Sequence, residues 1–324
     1  MSMKPAPIAL FVYNRPDHVL RTLSALKANP LARKSLLYVF SDGPRGSQDI
    51  PRVEAVRRVL KNISGFDNMC VRDQPQNLGL AKSIITGVTE LAVNYGRVIV
   101  LEDDLVVAPG FLAFMNHALN RYSNDPQIMQ VSGYMFPVKR PKRLGQTFFC
   151  RVPTSWGWGT WGRAWERLTL DSTRILESLR CPDRREAFNL DGAYPYFEHL
   201  TQQAEGKIDV WGVRWYASMF AAGGLCLYPS QSLVRNIGMD GSGVHCGRSS
   251  HFDVNLSDLE TWTFPARIEE STPAYEAIRS FLIGMSGQKQ TGAIVDLVSR
   301  LRDVAGRIKR SITSAGSHES ISQR

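Results

Sequence analysis

Three consecutive carboxylates, Glu102-Asp103-Asp104, stand between Val-Ile-Val-Leu and Leu-Val-Val-Ala-Pro-Gly. Acids so close repel one another unless a cation is shared. A hard divalent ion such as Mg²⁺ or Mn²⁺ takes one or two protein carboxylates together with substrate phosphate oxygens, and this triplet supplies the carboxylates. The same residues also suit a solvated turn in which Asp104 caps the following segment. Their neighbours favour the first reading. Tyr13-Asn14-Arg15-Pro16 and Ser41-Asp42-Gly43-Pro44-Arg45 are polar turns placed directly after apolar runs. Asn77-Leu78-Gly79-Leu80-Ala81 opens a helix, whose free N–H groups form a positive end suited to a phosphate or carboxylate. Further along, Trp156-Gly157-Trp158-Gly159-Thr160-Trp161 offers flat faces beside glycines that allow close approach. Trp156 and Trp158 are candidates to stack on a sugar ring, with core packing the other use of such residues.

These turns need a scaffold that brings them to one edge. Apolar runs at Ile8–Tyr13, Leu36–Phe40, Met69–Arg72 and Val98–Leu101 alternate with helical patterns at Val19–Lys27, Val53–Asn62 and Leu80–Val93. The strand-like runs are continuous, the mark of strands covered on both faces, and the alternation predicts an α/β wound core with helices on both faces. All four polar motifs then fall at strand carboxyl ends, where open α/β sheets bind ligands. Together they make a nucleotide-sized cleft. From about residue 130 Pro and Gly increase, and six of the seven tryptophans lie between Arg151 and Tyr216, which predicts a second subregion packed on the first.

Composition bounds the partners. The chain has 324 residues, 43% hydrophobic and 21% charged, with a net charge of +9 that favours an anionic partner. From Met285 to Arg324 seven Lys/Arg face three Asp/Glu, so much of the excess belongs to the tail and not to a basic stripe of the nucleic-acid-binding kind. Within that tail Ile294, Leu297, Leu301, Ile308 and Ile312 recur at helical spacing with basic residues off their face, as in a helix lying on an anionic membrane or one docked on its own domain. Five scattered cysteines without a CxxC pair fit neither a disulfide framework nor a zinc site. The first apolar run, of about seven residues, is too short to span a bilayer, so the reading is a cytoplasmic protein with possible contact to the inner face of the membrane.

The ordered series Phe-Val-Tyr-Asn-Arg-Pro, Ser-Asp-Gly, Asn-Leu-Gly-Leu and Leu-Glu-Asp-Asp resembles the GT-A glycosyltransferases, both bacterial family-2-like sugar transferases and animal N-acetylglucosaminyltransferase I. The likeness spans residues 6–250 and is strongest up to Asn120. It implies a metal-dependent, inverting transferase that moves a sugar from a nucleotide diphosphate sugar, a UDP-sugar by preference, to a hydroxyl of a glycan or lipid-linked acceptor. It divides the chain into a nucleotide-sugar-binding half (1–128), an acceptor-binding and catalytic half (129–284) and the tail (285–324). It also implies that Phe11, Asn14, Arg15 and Asp42 contact the nucleoside, with Asn77 and Gly79 beside them. Asp104 would bind Mn²⁺ or Mg²⁺ directly, with Glu102 or Asp103 behind it.

In the glycine-rich run Asn236–His245, the resemblance implies that His245 reaches the metal or diphosphate, a surface histidine in a loop being its other use, and no other histidine has comparable surroundings. An inverting transferase needs a carboxylate to take the acceptor proton. Asp209, at the start of an aromatic helix, is the candidate, with Asp191, Glu198 and Glu205 as rivals and an N-cap as its other use. Relatives that carry the acid between two tryptophans have it at the position of Gly212. Two other classes compete: sugar-phosphate nucleotidyl transfer, whose early glycine-rich loop is missing from Tyr13–Pro16, and an inactive carbohydrate-binding homologue.

Overall fold

A computed structural model describes residues 4–241 and 249–285. His245 and the basic tail lie outside the described residues. The first half winds as β1 (Ile8–Val12), α1 (Pro16–Lys27), β2 (Leu36–Ser41), α2 (Ile50–Lys61), β3 (Asn68–Asp73), α3 (Leu80–Tyr95) and β4 (Arg97–Glu102). Then come β5 (Leu105–Val107), α4 (Phe111–Arg121), β6 (Ile128–Ser132), β7 (Thr147–Cys150) and β8 (Trp158–Trp161). Short helices follow: α5 (Gly162–Trp165), α6 (Thr173–Ser178), α7 (Pro182–Phe188), α8 (Tyr196–Ala204) and α9 (Trp211–Ala221). The described chain closes with β9 (Leu225–Pro229), β10 (Val234–Asn236) and helical residues 272–285.

Eight strands form one mixed sheet in the order β3-β2-β1-β4-β8-β6-β9-β7. β3, β2, β1 and β4 are mutually parallel, and β6 and β9 share their direction, so only β8 and β7 run against it. The sheet continues across residue 128. The fold is therefore the Rossmann-like wound sheet with flanking helices that the alternating pattern implies. β1 and β4 are buried along nearly their whole length, as their unbroken apolar runs require, whereas β3 is the edge strand and stays half-exposed. Among the described residues no helix is long and apolar enough to cross a membrane.

The strand order places the site. From β1 the chain steps outward to β2 and β3, then returns across β1 to lay down β4 on its other side. Right-handed crossovers in opposite directions leave a crevice where β1 and β4 end, the switch point at which wound sheets bind ligands. Parallel register puts Phe11 beside Glu102, Val12 beside Ser41 and Ser41 beside Asp73. One step further, Asp42, the turn before α3 and Asp103-Asp104 all arrive at that crevice.

Candidate active site

A cavity of about 190 Å³ opens at the switch point. Its apolar floor is Phe11 stacked on Phe40, with ring centroids 4.9 Å apart and planes 12° from parallel. Gly87 of α3 sits against both rings, where a Cβ would come within 2.8 Å of Phe11 and 2.9 Å of Phe40. Leu80 and Ser83 continue this wall, and the Ser83 hydroxyl is buried without a partner among the described residues. Tyr13 donates its hydroxyl to Asp49 at 2.6 Å, and Asn14 donates to the same carboxylate at 3.3 Å. Burial, and then the bond to Asp49, push the Tyr13 phenol up to about 12.

Arg15 sits between the acids. Its Nη2 is 2.5 Å from Asp103 and 2.9 Å from Asp104. Asp103 is 5% exposed; it also accepts the Tyr13 amide, and its carbonyl accepts the Thr22 hydroxyl at 2.7 Å. Burial raises the Asp103 carboxyl to about 6 although Arg15 pulls the other way. Glu102 lies well above the usual range because of burial and then repulsion from Asp104 and Asp103. On Arg15, burial works against the charge, but the two acids outweigh it and hold the guanidinium above its ordinary value. The resemblance gives Arg15 to the nucleoside; its guanidinium lines the cavity and is also the counter-charge of the acid pair.

The acids are covered from the other end of the chain. β10 pairs antiparallel with β5, and the Ile237 amide donates to the Asp104 carbonyl at 2.8 Å. His18 donates to the Ile237 carbonyl at 3.2 Å. Gly238 packs so closely that a Cβ would fall 2.0 Å from Asp104 Oδ2 and 2.8 Å from Arg15 Nη1. The opening of the glycine-rich run is thus seated on the acid cluster, and His18, not read as a site residue, helps to hold it there.

The donor set suits a divalent cation in one way. Asp103 is committed to Arg15 and Tyr13, whereas Asp104 keeps one carboxylate oxygen without a hydrogen bond among the described residues. Among those residues no group of three His, Cys, Asp or Glu forms a cage. One carboxylate plus substrate phosphates is a mode that Mg²⁺ uses, so Asp104 is the residue that would hold the ion.

Asp42 braces the turn before α3. Its Oδ1 accepts the amides of Gly43 and Leu78, both at 2.8 Å, and its Oδ2 accepts Asn77 Nδ2 at 2.9 Å and the Gly79 amide at 3.1 Å. Asp42 therefore takes the amides of the turn that leads into α3, Leu78 and Gly79, and not the helix's own first N–H groups. Asp42 and Asn77 line the cavity, while Gly79 shapes the turn behind it.

A second cavity, of about 300 Å³, shares Trp156 with the first as a lining residue. Trp156 stands edge-on to Tyr134 and Phe252, with centroids 4.6 and 5.4 Å away. Trp158 does not join it. It is fully buried in β8, stacks on Trp211 at 5.1 Å and lines neither cavity. β8 begins at Trp158 and is buried at every residue, and Gly157, at a φ of 61°, turns the chain just before it, so the ring of Trp158 packs the interior while Trp156 lies outside the strand.

Asp209 also lines neither cavity. Its side chain is 66% exposed and is ion-paired with Arg214, and the cap of α9 is Val210. Glu198 accepts from Gln202, Glu205 pairs with Lys207, and Asp191 accepts the Tyr275 hydroxyl at 2.7 Å. These rivals line neither cavity either. Sequence reasoning passed over Tyr194, Tyr196 and His199, which do line the second one. The signal was the three-residue step from Tyr196 to His199 at the start of a helix, which places both on one face.

No protein-family model matches the chain, and no curated protein matches it. Among solved structures it is similar to the mannosyltransferase PcManGT from Pyrobaculum calidifontis in complex with GDP-Man and Mn²⁺, at 14% identity and a TM-score of 0.37, covering 68% of this chain and 74% of that one. A likeness that distant decides nothing about chemistry, which has to stand on the residues of this chain.

Proposed function

We propose that the chain is a metal-dependent glycosyltransferase that transfers a sugar from a nucleotide diphosphate sugar to a hydroxyl acceptor. One observation carries this reading. A stacked aromatic floor, an unpaired hydroxyl and a carboxylate cluster with a built-in arginine meet in a single cavity at the switch point of a wound sheet. The floor and Ser83 suit a nucleobase, and the acid end suits the diphosphate. Asp104 would hold Mn²⁺ or Mg²⁺, which would offset the charge gathering on the departing nucleoside diphosphate. Arg15, already between the acids, is in reach of the same phosphates. The resemblance to the GT-A family adds a UDP-sugar donor and inversion at the anomeric carbon.

The test is to incubate the full-length protein with UDP-, GDP-, dTDP- and CMP-sugars, with Mn²⁺ or with chelator, and to measure nucleotide release. Release from one class of donor that requires the metal supports the reading. Pyrophosphate release from a nucleoside triphosphate and a sugar phosphate would replace it with nucleotidyl transfer. No turnover and no nucleotide binding would remove the enzyme reading.

A further inference from the structure

The polar groups around the second cavity sort into two sets. Tyr134 donates its hydroxyl to the Phe252 carbonyl, Tyr216 to the Phe188 carbonyl and Trp215 its Nε1 to Gln130. Those tips are spent on the protein. Ser155, Tyr194, Tyr196 and His199 also line the cavity, and their side chains have no hydrogen-bond partner among the described residues. Between the tips lie ring faces, with Tyr194 and Tyr196 4.5 Å apart and Tyr196 4.5 Å from Tyr216. Among the described lining residues there is no Asp, Glu, Lys or Arg.

From this we infer that the second cavity binds an uncharged saccharide through aromatic faces and the free tips of Tyr194, Tyr196 and His199. Calling that saccharide the acceptor rests on the donor reading above; the binding site itself does not. A pyranose has apolar C–H faces that lie on rings and a rim of hydroxyls that exchange hydrogen bonds with phenols and an imidazole. A purely aliphatic ligand would satisfy the rings but strip water from four polar side chains and return nothing to any of them. A uronate or phosphorylated sugar would bring a charge into a wall without a counter-charge, where an unpaired ion is costlier still. Trp156 ties the two sites together. It lines both cavities, so a saccharide in one and a donor sugar in the other would approach the same side chain.

Saturation-transfer NMR on the full-length protein without nucleotide tests this, using methyl glycosides of glucose, galactose, mannose and N-acetylglucosamine beside methyl glucuronide and 1-octanol. At least one neutral glycoside should receive saturation on its ring protons and outcompete both other probes. His199→Ala and Tyr196→Phe should each weaken it about tenfold, since a hydrogen bond is worth on the order of 1 kcal/mol and an orphaned partner adds to the loss. Tyr196→Phe keeps the ring packing, and its unchanged thermal unfolding would separate lost binding from lost fold. Stronger binding of the glucuronide or octanol, neutral binding that survives both substitutions, or no glycoside bound by folded protein would each overturn the proposal. If a donor is hydrolysed but no glycoside binds, the saccharide site falls and the donor reading stands. If glycosides bind and no nucleotide does, the reverse holds.

Discussion

The two cavities share a tryptophan and little else. In the first, most of the acids are answered from within: Arg15 lies on Asp103 and Asp104, and Asp42 on three backbone amides, while the carboxyl of Glu102, desolvated by burial, has no hydrogen bond or ion pair among the described residues. In the second, rings supply the surface and several polar tips wait for a partner. The difference lies in how each is held. A charged site at a strand end needs its counter-charges built in, because buried carboxylates without them would be too costly to form. Aromatic faces carry no such cost, so a cavity can be lined with them and left open. Under the proposed function a cation would meet the free oxygen of Asp104 while a phosphate would have to compete for Arg15, whereas a ligand of the second cavity need only displace water.

The largest effect should separate the two sites cleanly. Asp104→Asn should lower metal-dependent nucleotide release by about 10³-fold, because a bound ion supplies several kcal/mol of charge stabilisation and each 1.36 kcal/mol is tenfold. Glycoside binding in the aromatic cavity should not move. Release within a few-fold of the parent protein would place the cation elsewhere.

The two tryptophans two residues apart sharpen the contrast next. Trp158 is fully buried among Trp165, Trp211 and Trp215, so Trp158→Ala should cost about 3–5 kcal/mol in denaturant unfolding. Trp156→Ala should cost less and disturb ligand binding at both cavities instead. Equal losses of stability would mean that Trp156 is core as well.

Acidity gives a third handle. The Asp103 carboxyl stands at about 6 in the folded protein against an ordinary 3.8, so the folded state binds its proton more tightly than the unfolded chain. Its stabilising contribution is complete below about 4 and is lost as pH rises through 6, a change on the order of 3 kcal/mol. Glu102, raised in the same direction, adds to it. The stability difference between the parent and Asp103→Asn should therefore shrink across that window and be flat above it. A difference that grows with pH would show that Arg15 dominates burial.

The first cavity was legible in the sequence and the second was not, for a physical reason. Wound parallel strands carry their motifs in order, each directly after an apolar run, so Phe11, Asn14, Asp42 and Glu102–Asp104 could be assigned to one edge before any coordinates. The partners of those residues were not readable. Asp42 spends its oxygens on the turn before α3, and Arg15 turns to the acids, because hydrogen bonds across 30 to 90 residues of chain leave no local pattern. The second cavity gathers Tyr134, Trp156, Tyr196, Trp211 and Phe252 from separate segments. Aromatic residues in such numbers read equally well as core, and for Trp158 core is what they are.

The smallest prediction has opposite signs in two assays. Ser83 brings a buried hydroxyl to the wall of the first cavity with no partner among the described residues, so the unliganded protein bears the cost of desolvating it. Ser83→Ala removes that cost and should leave stability unchanged or raise it by up to about 1 kcal/mol. If the hydroxyl is there to meet the polar edge of a nucleobase above Phe11 and Phe40, the same substitution should weaken nucleoside diphosphate binding by about 3–10-fold, the worth of one hydrogen bond. It should leave glycoside binding untouched. Calorimetric titration of UDP and GDP into both proteins, beside their thermal unfolding, reads the two signs together. A variant that gains stability and binds both nucleotides as before would make Ser83 a packing defect and not a contact for the base.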